Sequence, residues 1–182
     1  MNLTDQDVQQ VLDGAELLHS ESAVHAALDT MAADITARIA GHNPLMLCVM
    51  TGGVVPAAAL FTRMRFPIQF DYLHATRYRG GTTGSDIEWI CPPSQSLKGR
   101  TLLVVDDILD EGLTLAAILD YCRAQGAAQV YSAVLVEKHH DRRAGGLQAD
   151  FVGLHVEDRY VFGCGMDYHG YLRNVTGIYA VD

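Results

Sequence analysis

The stretch Leu102-Leu103-Val104-Val105-Asp106-Asp107-Ile108-Leu109-Asp110-Glu111-Gly112-Leu113-Thr114-Leu115 decides the fold. Its first four residues form an apolar run with the length and branching of a strand buried on both faces, as in a parallel sheet. The residues after Gly112, LTLAAILDYCRAQG, predict a helix capped near Thr114 and closed by Gly126. Asp106, Asp107, Asp110, Glu111 and Gly112 are thereby expected in the loop where a strand hands over to a helix. Open α/β sheets bind ligands there, outside the carboxyl ends of the strands. Gly112-Leu113-Thr114 at a helix N-terminus offers backbone N–H groups and a hydroxyl to a phosphate. The paired carboxylates beside it suit ribose hydroxyls or a hydrated Mg²⁺.

The same alternation extends outward in both directions. Ser22 is read as the cap of a helix whose apolar positions are Val24, Leu28, Met31, Ile35 and Ile39, ended by Gly41. A strand over Leu45 to Met50 meets Thr51-Gly52-Gly53 and then an alanine-rich helix opened by Pro56. Ile68 to Leu73 reads as a strand with Ile68, Phe70 and Tyr72 on one face. From His74 to Leu97 the periodicity dissolves among glycines and prolines, predicting a long loop or a hairpin. Val130 to Val136 is a further apolar strand, and the tail from Asp150 alternates short apolar runs with loops. Strands alternating with helices predict an α/β fold with a mostly parallel central sheet and helices on both faces, built as a single domain over residues 1–182.

Bulk properties narrow the function classes. The formal net charge of −9 argues against nonspecific nucleic-acid binding. No apolar run approaches the ~20 residues of a membrane span. The start, MNLTDQDVQQ, is too polar for a secretory signal. Cys48, Cys91, Cys122 and Cys164 are scattered without a CxxC pair. Cys48 and Cys122 fall within apolar elements as reduced core residues, so a cytoplasmic location is expected. An acidic protein that binds a polyphosphate must attract it with local cations and helix N-termini.

The stretch at 102–115 resembles the phosphoribosyl-pyrophosphate signature of type I phosphoribosyltransferases, in which two acids follow a hydrophobic strand and precede a phosphate loop ending in Gly-x-Thr. From about Ser22 to Val181 the chain is similar to hypoxanthine-guanine phosphoribosyltransferases. The resemblance implies Mg²⁺-dependent transfer of ribose 5-phosphate from phosphoribosyl pyrophosphate to N9 of an oxopurine base. It also implies a small hood formed by terminal segments, and a homodimer or homotetramer. In this reading Glu111, Gly112, Leu113 and Thr114 hold the 5′-phosphate, and Asp106 and Asp107 hold the ribose hydroxyls, directly or through the metal. Asp110 exchanges a proton at purine N7. Thr51, Gly52 and Gly53 form a pyrophosphate loop, with Thr51 where the family often has Lys or Arg. Arg77 and Tyr78 stand where a mobile lid carries a Ser-Tyr-like pair. Lys138 donates to the purine 6-oxo group, which selects an oxopurine over adenine. Tyr160 stacks on the base and the Val161 backbone meets its edge. Asp167 reaches a second Mg²⁺ near the base, and Arg173 contacts pyrophosphate. His139 and His140 lack metal-ligand spacing and are read as surface residues. Glu111 and Leu113 depart from the family pattern, so either both side chains face outward and phosphate binding rests on main-chain N–H groups alone, or phosphate affinity is reduced. A xanthine-preferring enzyme is one alternative. A non-catalytic nucleotide-sensing regulator is another, though a regulator that binds RNA would carry a basic patch, and none is seen.

Overall fold

The computed structural model describes residues 3–77 and 87–181. In chain order the elements are α1 (Asp5–Gly14), β1 (Glu16–His19), α2 (Glu21–Ile39), β2 (Leu45–Met50), α3 (Val54–Arg63), β3 (Gln69–Arg77), β4 (Ile87–Cys91), β5 (Thr101–Leu109), α4 (Leu113–Ala124), β6 (Gln129–His139), β7 (Phe151–Glu157), β8 (Tyr160–Phe162) and β9 (Ile178–Val181). Six strands form the main sheet in the order β4-β3-β2-β5-β6-β7, parallel throughout except for the edge strand β4. The expected mostly parallel sheet is therefore present. A separate antiparallel sheet, β1-β9-β8, joins the beginning of the chain to its end and forms the hood.

Alternate side chains of each central strand serve two cores. Met46, Cys48, Leu103 and Val105 face α2 and α3, packing with Leu28, Met31, Ile35 and Leu60. Leu45, Leu47, Val49, Leu102 and Val104 face α4, packing with Leu115, Ile118, Leu119 and Cys122. Both faces of β2 and β5 are covered, which is why these strands read as continuous apolar runs. The first core also takes in Val161, Ile178 and Ala180 of the hood, so the two sheets share apolar contacts. Burial pushes the Cys48 thiol up to about 12 and the Cys122 thiol to about 11, so both remain uncharged core residues.

Several local expectations are corrected. Ser20, not Ser22, caps α2, accepting from the Ala23 N–H at 3.3 Å; Ser22 lies inside the first turn and its hydroxyl pairs with that of Ser20. Gly53 precedes α3, and Pro56 sits within the first turn, where the absent N–H breaks no helical bond. The segment after His74 takes the hairpin alternative: β3 runs on to Arg77 and pairs antiparallel with β4, where Trp89 packs on Tyr121 at 4.3 Å. Asp71 pins the return of this hairpin. Its carboxylate accepts from the backbone N–H groups of Tyr72, Ser94 and Gln95 and from the Ser94 hydroxyl. Burial alone would raise this carboxyl, but those bonds outweigh it and hold the group below the ordinary range.

Candidate functional site

The site is built where β5 ends. This strand does not stop at Val105; it continues through both acids to Leu109, because the long neighbour β6 extends the ladder through Asp106–Val134, Ile108–Val136 and Leu109–Glu137. Asp106 and Asp107 are thus strand residues at the carboxyl edge, not loop residues as expected. Although they are neighbours on one strand, their carboxyl groups approach closely enough to share a side-chain hydrogen bond. The Asp107 N–H donates to Asp106 Oδ1 at 2.9 Å and the Ile108 N–H to Asp107 Oδ1 at 2.7 Å. Burial raises both carboxyls above the ordinary range, and the charge of Asp107 adds to the rise at Asp106.

The turn into α4 is made by Gly112, at φ +79°, the left-handed conformation glycine adopts without strain. Thr114 is therefore not the cap; it lies in the first turn, beside Leu113, and its N–H points with the others out of the helix end. On the opposite wall the loop after β2 approaches closely. A Cβ on Gly52 would lie 1.9 Å from Asp107 Oδ2, and one on Gly53 would lie 2.6 Å from the carbonyl oxygens of Val49 and Val105. The Met50–Thr51 peptide is cis. Both glycines are thus required by contact with the backbone or carboxylate of β5 and β2. Thr51 is exposed beside them.

Between these walls lies a cleft of about 600 Å³, lined by Met50, Gly52, Asp106 to Leu115, Asp167 and Arg173. Glu111 is half-buried and lies on its rim. Arg173 crosses the cleft floor: its guanidinium donates to the Gly165 carbonyl at 2.6 Å, pairs with Asp167 at 2.7 Å and lies 3.8 Å from Asp107. Asp167 also accepts from the Gly170 N–H at 2.7 Å. A smaller pocket of about 180 Å³ adjoins the cleft, lined by Asp107, Ile108, Asp110, Lys138, Tyr160, Val161, Met166 and Asp167. The two spaces share Asp107, Ile108, Asp110 and Asp167. Tyr160 is half-exposed here, edge-on to Tyr168 and parallel to His169.

Asp110 stands at the junction. Lys138 Nζ donates to its Oδ2 at 2.8 Å and His140 Nε2 lies 2.8 Å from its Oδ1. Burial raises this carboxyl, but the hydrogen bond and charge of Lys138 and the bond from His140 outweigh it and hold the group ionised, below the ordinary range. His140 is not a surface residue: its side chain is 4% exposed. Sequence reading missed it because its partner comes from a different strand, with no periodic spacing to betray the pair. His139 is exposed, as expected, and stacks on His155. Gly165 also went unread; its carbonyl anchors Arg173, and a Cβ there would lie 2.2 Å from the Gly52 carbonyl.

The structure therefore brings together Asp106, Asp107, Asp110, Glu111 to Thr114, Gly52, Arg173, Asp167, Lys138, Tyr160 and Val161 around one pair of adjoining spaces. Arg77 ends β3, which runs parallel to β2, at the carboxyl edge of the sheet, whereas Tyr78 lies outside the described residues. Asp110, His140 and Asp158 also bring three ligating atoms within 4.8 Å of one another. Both acids there already have cationic partners, Lys138 on Asp110 and Arg142 on Asp158, so this cluster is a charge network.

Fold and site together define an α/β protein with its cleft outside the carboxyl ends of parallel strands, floored by carboxylates and walled by a helix N-terminus. Residues 14–169 match the phosphoribosyl transferase domain, and the chain belongs to that family. It is 29% identical over 166 residues to the hypoxanthine-guanine-xanthine phosphoribosyltransferase of Tritrichomonas foetus, covering 91% of each chain. It is 30% identical over 167 residues to the hypoxanthine-guanine phosphoribosyltransferase of Streptococcus pneumoniae (strain ATCC BAA-255 / R6), covering 91% of this chain and 92% of that protein. Among solved structures, a hypoxanthine-guanine phosphoribosyltransferase from Bacillus anthracis superposes with a TM-score of 0.86 at 26% identity, covering 92% of this chain and 98% of that one. No helix among the described residues is long and apolar enough to cross a membrane.

Proposed function

We propose that this chain acts as one domain that transfers ribose 5-phosphate from phosphoribosyl pyrophosphate to N9 of hypoxanthine or guanine, releasing pyrophosphate. The observation that carries this reading is the junction at Asp110, where a cleft sized for a phosphorylated sugar meets a smaller pocket with an aromatic wall. The first-turn N–H groups of α4 and the Thr114 hydroxyl receive the 5′-phosphate, and the positive end of the helix favours it. Asp106 and Asp107 orient the ribose hydroxyls. In the small pocket Tyr160 stacks on the base, the Val161 backbone meets its edge, and Lys138 turns from Asp110 to donate to the 6-oxo oxygen. Asp110 then faces N7. As N9 bonds to the ribose carbon the basicity of N7 changes, and the carboxylate takes up or returns its proton. Arg173 and the Thr51-Gly52-Gly53 loop stabilise the departing pyrophosphate.

The donor set fits Mg²⁺. Asp106 and Asp107 offer only oxygen to one ion, and Asp167 would serve a second; burial raises the Asp106 and Asp107 carboxyls, which a cation would offset, and the Arg173 guanidinium lies 3.8 Å from Asp107. When held there, Mg²⁺ neutralises the pyrophosphate and aids its departure. Val54, Val55 and Phe61 on α3, with Phe70 and Tyr72 on β3, are large exposed apolar residues that support self-association as a dimer or tetramer.

The decisive experiment is a rate assay with phosphoribosyl pyrophosphate, Mg²⁺ and a panel of adenine, hypoxanthine, guanine and xanthine. Nucleotide formation from hypoxanthine or guanine, and not from adenine, is expected. Exclusive use of xanthine would replace the base assignment. No turnover with any base would leave the nucleotide-sensing reading in its place.

A further inference from the structure

We infer that His140 is a positioning residue for Asp110: a neutral imidazole, fixed in its Nε2–H form, that holds the carboxylate aimed into the base pocket. This rests on the activity proposed above for the same site. The tautomer follows from hydrogen bonding at the other ring nitrogen. The Arg142 backbone N–H donates to His140 Nδ1 at 3.1 Å, so Nδ1 accepts and carries no proton. The single ring proton is then on Nε2, which donates to Asp110 Oδ1 at 2.8 Å. A second proton on the ring would face the Arg142 N–H directly.

The loop that carries the ring is itself held. The Arg142 guanidinium makes a two-pronged pair with Asp158, at 2.6 and 2.9 Å, in the turn that leads to Tyr160. One clamp thus sets the N–H that fixes the tautomer and ties it to the strand carrying the aromatic wall. The geometry also separates the roles of the two partners of Asp110. Lys138 has three protons on a freely turning ammonium, and it must leave Oδ2 to reach a base oxygen. His140 is planar and its side chain is 4% exposed, with Nε2 2.8 Å from Asp110 Oδ1. When Lys138 moves to the base, His140 alone keeps the carboxylate in place.

Two measurements test this. In the wild type, nitrogen-15 NMR of the histidine side chains at neutral pH should show the His140 ring with a protonated Nε2 and an unprotonated, hydrogen-bonded Nδ1. In kinetics, His140→Ala should lower kcat roughly 10- to 100-fold, the scale expected when a reacting group loses its orientation. The KM for phosphoribosyl pyrophosphate should stay within about threefold, since no phosphate contact is touched. His140→Gln, whose amide nitrogen can also donate to Oδ1, should recover most of the lost kcat. A ring protonated at Nδ1 or at both nitrogens would overturn the proposal, as would a Gln variant as slow as the Ala variant, or an Ala variant with unchanged kcat. If the Ala variant does not fold, the tautomer and the Gln variant still decide. A wild type inactive with every oxopurine would sink the proposed activity, and the NMR result would still stand or fall by itself.

Discussion

Gly52→Ala is the substitution that most directly separates building the site from building the fold. The new Cβ would lie 1.9 Å from Asp107 Oδ2 and 2.5 Å from its Cγ, where ordinary contact begins at 3.4 Å, so the carboxylate must move by about 1.5 Å. The Gly52 backbone itself is not in the left-handed region, so alanine brings no conformational penalty of its own. The cost falls on Asp107, which is 9% exposed and accepts from the Ile108 N–H at 2.7 Å. Losing a hydrogen bond to a buried carboxyl costs about 1–3 kcal/mol, which for a chain of this size lowers Tm by roughly 2–10 °C. Calorimetry should show that drop, together with at least tenfold weaker binding of phosphoribosyl pyrophosphate in the presence of Mg²⁺. Asp107→Ala removes the atoms the Cβ strikes, so the double variant should melt close to the Asp107→Ala single variant, giving a strong coupling energy. Gly53→Ala meets backbone oxygens at 2.6 Å, which cannot turn aside, and should lose more stability than Gly52→Ala. A Gly52→Ala protein that melts within a degree of the wild type and binds normally, or whose effect simply adds to Asp107→Ala, would refute the claim that Gly52 sets the position of Asp107.

Asp110→Asn should reduce kcat at least a hundredfold with the KM for phosphoribosyl pyrophosphate nearly unchanged, because it removes a proton-transfer group and no phosphate contact; a loss below about threefold in steady-state assays would reject that role. Lys138→Ala should raise the oxopurine KM more than tenfold while sparing phosphoribosyl pyrophosphate, since its ammonium lies in the small pocket beside Asp110. An unchanged purine KM would mean that this lysine serves only to balance the charge of Asp110.

What the sequence revealed, and what it did not, follows from the range of the interactions. The central strands were legible because a strand covered on both faces must be apolar at every position, as Leu45 to Val49 and Leu102 to Val105 are. The end of β5 is not legible in the sequence because Asp106 and Asp107 look like loop residues. Only the ladder to Val134 and Val136 on β6, a non-local pairing, keeps them in the strand. Ser22 reads as a cap and Ser20 is the one, because the sequence does not fix a helix boundary to within a residue or two of local geometry. Among the site residues, those in one short stretch, Asp106 to Thr114, could be read together. Lys138, Tyr160, Asp167 and Arg173 came only from resemblance, since residues from separate strands and loops share no spacing rule. His140 had neither signal. Its meaning lies wholly in a contact with Asp110 across the sheet edge.

The charge of the cleft carries the remaining prediction. Asp106, Asp107, Asp110, Glu111 and Asp167 line it, and Arg173 is the cationic side chain among its described residues. A free polyphosphate would meet a net negative wall there, while a divalent cation between the acids and the phosphates would reverse the balance. Phosphoribosyl pyrophosphate binding by the wild type should therefore be lost in EDTA and restored by Mg²⁺. The sign of the pH dependence follows from Asp106. Burial and the neighbouring Asp107 raise its carboxyl above the ordinary 3.8, so the folded chain holds more protons than the unfolded one as pH rises past that value. Stability of the cation-free protein from this source is present at low pH and lost as pH rises through the raised folded value, while Mg²⁺ compensates. Asp106→Asn removes the charge and keeps the oxygen that accepts from the Asp107 N–H at 2.9 Å. In EDTA at neutral pH this variant should melt above the wild type, and Mg²⁺ should raise the Tm of the wild type but not of the variant. If the variant instead melts lower in EDTA, or if the wild type binds phosphoribosyl pyrophosphate equally well without divalent cations, then the paired acids are not a cation site. The negative cleft would then have to be overcome by Arg173 and the helix N-terminus alone.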